Sequence, residues 1–144
     1  MSSSNDPGRV AAEVAAVMGG LVRRMRAASP EGALTPTQRS VLHRVDAEGP
    51  LTIAALARAE LVRPQSMRVT VGALEERGVL VRTPHPTDGR QVVLALTEEG
   101  GATLDAVRRA KRDWLTEALA TRLDPDERRT VGEAAALLKR LIDT

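Results

Sequence analysis

The sequence predicts a mainly α-helical chain that carries one small β-hairpin. Through most of the chain, apolar residues recur at steps of three and four. Between residues 79 and 96 that period gives way to two β-branched runs around a turn containing Pro and Gly. Elsewhere Pro, Gly and capping residues divide the helical stretches into separate segments.

Ser2–Ser3–Ser4 opens the chain and is expected to be disordered. Val10, Val14, Val17, Leu21 and Met25 then form one stripe, which predicts a helix from about Pro7 to Ala28. Ser29–Pro30–Glu31–Gly32 breaks it. Thr35–Pro36–Thr37–Gln38 is a capping box with Pro at the first helical position, opening a helix through Val41, Leu42 and Val45 to Gly49–Pro50. Leu51–Thr52 is short and β-capable, and Thr52 caps a helix from Ile53 through Leu56 to about Glu60. After the turn Leu61–Val62–Arg63, Pro64 starts another helix, with Met67, Val71 and Leu74 as its buried face and Gly78 just past its end.

Residues 79–83 and 91–96 are the two strands, and Pro84 to Arg90 is the loop between them, long enough to project. Thr97 caps the next helix, with Glu98 and Glu99 suited to its N-terminal dipole. Its stripe of Leu104, Val107, Lys111, Trp114 and Ala118 contains one polar interruption. Asp124–Pro125–Asp126–Glu127 is a second capping box, with Asp as the cap, and Val131, Ala134, Leu138, Leu141 and Ile142 form the last stripe.

Composition narrows the function classes. With no Phe, no Tyr and a single Trp in 144 residues, the core must be aliphatic, and such a chain gains by burying surface against a second copy. With no Cys, disulfides and thiolate metal sites are excluded, and His43 and His85 lack metal-ligand spacing, so no metal and no cofactor are expected. Neither a secretory signal nor a membrane span is present, which predicts a soluble, cytoplasmic protein with no membrane partner. The net charge of +2 does not by itself imply nucleic acid. No nucleophile with a base and orienter and no phosphate-cradling glycine loop appear, which argues against an enzyme.

From Thr35 to Leu96 the order is helix, short strand, helix, turn, helix, strand, loop, strand. In a helix-turn-helix unit the first helix buttresses the second, whose outer face enters the major groove. With Met67, Val71 and Leu74 inside, Gln65, Ser66, Arg68 and Val69 face outward, and short polar and Arg side chains are types that reach base edges.

The stretches Leu-Thr-Ile-Ala-Ala-Leu-Ala at 51–57, Leu-Glu-Glu-Arg-Gly-Val-Leu-Val-Arg at 74–82 and Pro-Thr-Asp-Gly-Arg-Gln-Val-Val-Leu-Ala-Leu-Thr-Glu-Glu-Gly at 86–100 resemble the MarR family of bacterial transcription regulators. The resemblance covers about Thr35 to Gly100 by motif and the flanking helices by layout. It implies a winged helix-turn-helix lobe at 35–97, with dimerisation helices at 1–34 and 98–144. It further implies a homodimer that binds double-stranded DNA, as a repressor released by a small anionic or aromatic effector.

The family's Asp-x-Arg wing signature is matched by Asp88 and Arg90. Arg90 is then expected at the minor groove, while Asp88 orients that guanidinium or braces the loop. Many relatives carry Ser or Thr where this chain has Arg63, so the N-cap is weakened and the position becomes a phosphate or base contact. The DNA-binding set is Arg63, Pro64, Gln65, Ser66, Arg68, Val69, Arg82, His85, Asp88 and Arg90. Bland readings stand beside it: Gln65 and Ser66 as helix-start residues, Arg82 as a partner of Asp88 or a hairpin liner, His85 as a rigid-turn residue. His43, Arg23, Arg24 and Arg26 are candidate effector-cleft residues, against a default in which His43 is a satisfied interface histidine. Trp114 is read as a packing anchor. The competing function class is a winged-helix module that binds protein and not DNA.

Overall fold

The computed structural model describes residues 4–143. Ser2 and Ser3, part of the expected disordered start, lie outside that range, and Ser4 stands in a turn. The elements run α1 (Pro7–Ala27), a 3-10 turn (Pro30–Ala33), α2 (Pro36–Glu48), α3 (Ile53–Glu60) and α4 (Pro64–Glu76). They continue with β1 (Leu80–Pro84), β2 (Val92–Leu96), α5 (Glu98–Arg122) and α6 (Pro125–Ile142). The strands lie one residue later than the β-branched pattern suggests at three of their four ends. Pairing from Leu80↔Leu96 to Pro84↔Val92 sets the register.

Helix starts follow the capping chemistry. Thr35 and Gln38 exchange hydrogen bonds in a full capping box, as do Asp124 and Glu127. Thr52 and Thr97 each accept a backbone N–H three residues on. Helix α4 ends in a Schellman arrangement: Val79 N–H donates to the Leu74 carbonyl and Gly78 N–H to that of Glu75, with Gly78 at φ +77°. Helix α3 ends the same way, but the left-handed position, φ +55°, is held by Leu61.

One core unites α2, α3, α4 and the hairpin. Val41, Leu42, Val45, Leu56, Ala57, Met67, Val71, Leu74, Val79, Leu80 and Leu94 are buried together, with Leu104 of α5 closing one side. Leu51 exchanges two backbone hydrogen bonds with Leu94, so the β-capable dipeptide forms a bridge onto the hairpin. At the exit from β2 the chain passes so close to Val79 that a Cβ at Gly100 would stand 2.3 Å from its carbonyl oxygen. Helices α1 and α6 behave differently. Neither buries a residue within its own chain, and Val10, Val17, Leu21, Val131, Leu138 and Leu141 are exposed. Among the described residues no helix is long and apolar enough to cross a membrane.

Candidate nucleic-acid interface

Helix α4 presents the surface the patterning predicts. Met67, Val71 and Leu74 are fully buried, while Pro64, Gln65, Ser66 and Arg68 are exposed and Val69 is 74% exposed. Arg63 is the N-cap residue and makes no side-chain cap hydrogen bond. The first-turn N–H groups therefore have no capping side chain and can meet a phosphate oxygen. Behind α4, Leu56 and Ala57 of α3 are buried in the core. Ser40 and Arg44 of α2 both hydrogen-bond Glu60 at the end of α3, which fixes the approach to the turn.

The wing is braced from inside. His85 Nδ1 accepts N–H groups from Thr87 at 3.2 Å and Asp88 at 3.1 Å, and Asp88 Oδ1 accepts the Arg90 N–H at 3.1 Å. Of the two roles open to Asp88, the structure gives it loop bracing, since its partner is the Arg90 backbone. His85 is likewise a turn residue, with one ring nitrogen committed to the loop. Arg82 does not pair with Asp88. Its Nε lies 3.0 and 3.1 Å from the two carboxylate oxygens of Glu75, seven residues back on α4, which joins hairpin to helix.

The remaining arginines of the set stand apart. Among the described residues, none of the ion pairs involves Arg63, Arg68 or Arg90, whereas Arg44, Arg82 and Arg108 are each engaged by carboxylates. An exposed guanidinium without an internal partner retains its full donor fork for phosphate or guanine.

Comparison with known proteins agrees with this layout. The MarR family model matches residues 34–91. The HTH-type transcriptional regulator MT0903.1 of Mycobacterium tuberculosis is 38% identical over 135 residues, covering 94% of both chains. The chain belongs to the MarR family. The HTH-type transcriptional repressor NicR of Pseudomonas putida is 32% identical over 111 residues, 77% of this chain and 68% of NicR. Transcriptional regulator Tm0710 of Thermotoga maritima superposes with a TM-score of 0.81 at 21% identity, covering 94% of each chain, and so shares the fold. This MarR-family chain is thus a transcription regulator with a DNA-binding winged helix, not an enzyme.

In this MarR-family regulator the residues considered for an effector cleft separate into two groups. Arg23 and Arg24 are exposed on α1. Arg26 and His43 converge instead on Glu31, in the 3-10 turn, and are joined there by Lys111, the polar interruption in the α5 stripe. Burial pushes the Glu31 carboxyl up, but the hydrogen bonds and charges of Lys111 and His43 outweigh it and hold it below the usual value. Sequence reasoning missed Glu31 altogether. Lys111 within an apolar stripe was the one available signal, and it did not name its partner.

Proposed function

We propose that this chain is a homodimeric repressor that binds a pseudo-palindromic operator and is released by a small anionic or aromatic ligand. The observation that carries the DNA-contact part is the set of exposed guanidinium groups at Arg63, Arg68 and Arg90, free of internal carboxylates on the helix-and-wing lobe. In this reading Gln65, Ser66, Arg68 and Val69 face the major groove, with Val69 suited to a thymine methyl. Pro64 presets the helix start, and Arg63 meets the phosphate backbone. Arg90 enters the minor groove, and His85, Asp88 and Arg82 hold the hairpin that delivers it. The NicR relative bears the name repressor, which supports that sign of regulation.

Residues 1–34 and 98–144 serve as the dimerisation layer around a reading lobe at 35–97. The chain exposes 10049 Å², against about 7,200 Å² for a compact monomer of 15.4 kDa. The surplus fits an extended chain whose α1 and α6 stripes are covered by a second copy. Sedimentation at roughly micromolar protein should show a dimer, and a folded monomer there would remove this part of the reading.

Binding is tested by fluorescence anisotropy on duplexes from the DNA flanking the chain's own coding region, against a shuffled duplex, across a salt series. The expected result is a preference of about a thousandfold or more for one duplex, with affinity falling as salt rises. Equal affinity for both duplexes would leave a non-specific binder.

A further inference from the structure

Four ionisable groups meet where the reading lobe joins the terminal helices, and the proposed operator contact uses none of them. Glu31 is the centre, its side chain only 3% exposed. Lys111 Nζ of α5 lies 2.6 Å from its Oε2, His43 Nε2 of α2 contacts Oε1, and Arg26 Nε of α1 is 4.0 Å from Oε2. The turn is preset for this. Ser29 Oγ accepts the Glu31 N–H and donates to the Arg26 carbonyl, so the carboxylate is aimed inward before any charge acts.

A lone buried carboxylate is costly to desolvate, and this one is met by Lys111, Arg26 and the His43 imidazole from three separate elements. The cations are not fully used. Arg26 Nε is buried with no hydrogen-bond acceptor and stands 4.0 Å from Oε2, leaving donor capacity in the cluster. Such a cluster has the chemistry of an anion site, and the anion is supplied by the chain on a short leash. Tethering gives Glu31 an effective concentration that a free carboxylate in solution must exceed to displace it.

We propose that Glu31 is a tethered internal anion: its carboxylate fills a cation-lined site between the terminal helices and the reading lobe, and holds the two in the DNA-binding orientation. The location supports this role. His43 rides on α2, whose Val41, Leu42 and Val45 belong to the lobe core, whereas Arg26 and Lys111 ride on α1 and α5. Without the carboxylate, three cationic or protonatable groups face one another across that junction. It follows that a free anionic effector at Arg26 and His43 must compete with Glu31 in the native chain, and that a small carboxylate binds there far more readily once Glu31 is removed.

The test is Glu31→Ala, titrated with acetate against chloride at matched ionic strength, reading thermal midpoint and operator affinity. The effect on affinity rests on the operator-binding reading; the thermal midpoint does not. Operator affinity should fall roughly tenfold and return with acetate but not chloride. The midpoint should rise with acetate alone, and adding Lys111→Met should abolish that response. If Glu31→Ala folds poorly, Glu31→Gln keeps the volume and should weaken operator binding with no acetate response. Arg108→Ala is the control, because Arg108 and Asp46 form an exposed pair across the same α5–α2 junction. It should leave operator affinity within about twofold. Native operator affinity in Glu31→Ala, or a midpoint response to acetate no larger than to chloride, would overturn the proposal. If the native chain binds no duplex, the acetate-specific midpoint shift still decides whether the anion site exists.

Discussion

Arg68 and Arg90 share exposure and freedom from carboxylates, yet their settings predict different phenotypes. Arg68 projects from a helix held by three buried residues, so in the proposed binding mode its direction toward a base edge is fixed by the helix. Arg68→Ala should cost about 1–3 kcal/mol on the preferred duplex and relax preference at one base pair. Arg90→Ala should weaken binding with less base selectivity, through groove shape and charge. Competition with single-base variants of the duplex distinguishes the two, and equal losses on specific and shuffled duplexes would assign Arg68 to phosphate alone. Leu61 carries a separate expectation. It sits at φ +55° with its side chain 92% exposed, so it has strain and no packing in its own chain. The left-handed region costs an L-residue about 1–2 kcal/mol, partly offset in Gly by greater unfolded-state freedom. Leu61→Gly should therefore raise stability by about 0.5–1 kcal/mol in urea denaturation. A loss instead would mean that the leucine is buried against a partner.

At the level of elements, the wing and α5 are held to the lobe by a few close backbone approaches. Thr97 donates its hydroxyl to the Gly78 carbonyl at 2.5 Å and accepts the Gly100 N–H at 2.9 Å, joining the end of α4 to the start of α5. Gly100 lies at the tightest point, since an added Cβ would fall 2.3 Å from the Val79 oxygen and 3.1 Å from Leu96 Cδ2. Val79 leads directly into β1 and Leu96 ends β2, so neither can yield without moving the hairpin. Gly100→Ala should then cost about 1–3 kcal/mol, as overpacking does. Near-native unfolding midpoints for that variant would show that α5 is free to tilt away from the hairpin.

For the whole molecule, acid stability and ligand response carry the information. The Glu31 carboxyl faces Arg26 of α1, His43 of α2 and Lys111 of α5, and is held below its ordinary value. A depressed carboxylate contributes stability that is complete above the unfolded value, about pH 4.3, and is lost as pH falls through the lower folded value. Denaturant midpoints from neutral to acid pH should fall less steeply in Glu31→Gln than in the native chain. Parallel curves would mean that Glu31 contributes nothing to the acid limb. In the proposed dimer, a releasing ligand must favour a spacing of the two recognition helices other than the one-turn separation, about 34 Å, that successive major grooves require. Reciprocity then requires operator DNA to weaken ligand binding by the same factor. Calorimetry with and without duplex checks this, and identical affinities would exclude the compound as an effector.

Much of this was legible in the residue order, because it depends on local chemistry. The capping boxes at Thr35 and Asp124, the Gly78 stop and the change of period at residue 79 are short-range signals, and each produced its element. The inward face of α4 followed from spacing alone, and with it the outward Arg68 and Val69. Tertiary structure decided the pairings that span sequence distance. The sequence left Arg82 either to pair with Asp88 or to line the hairpin, and the fold instead brings Glu75 of α4 to it. Lys111 could be seen as a break in an apolar stripe, yet only folding places it against a carboxylate 80 positions earlier. The reason is physical: periodicity reports which face of an element turns inward, and charge pairing depends on which elements then meet.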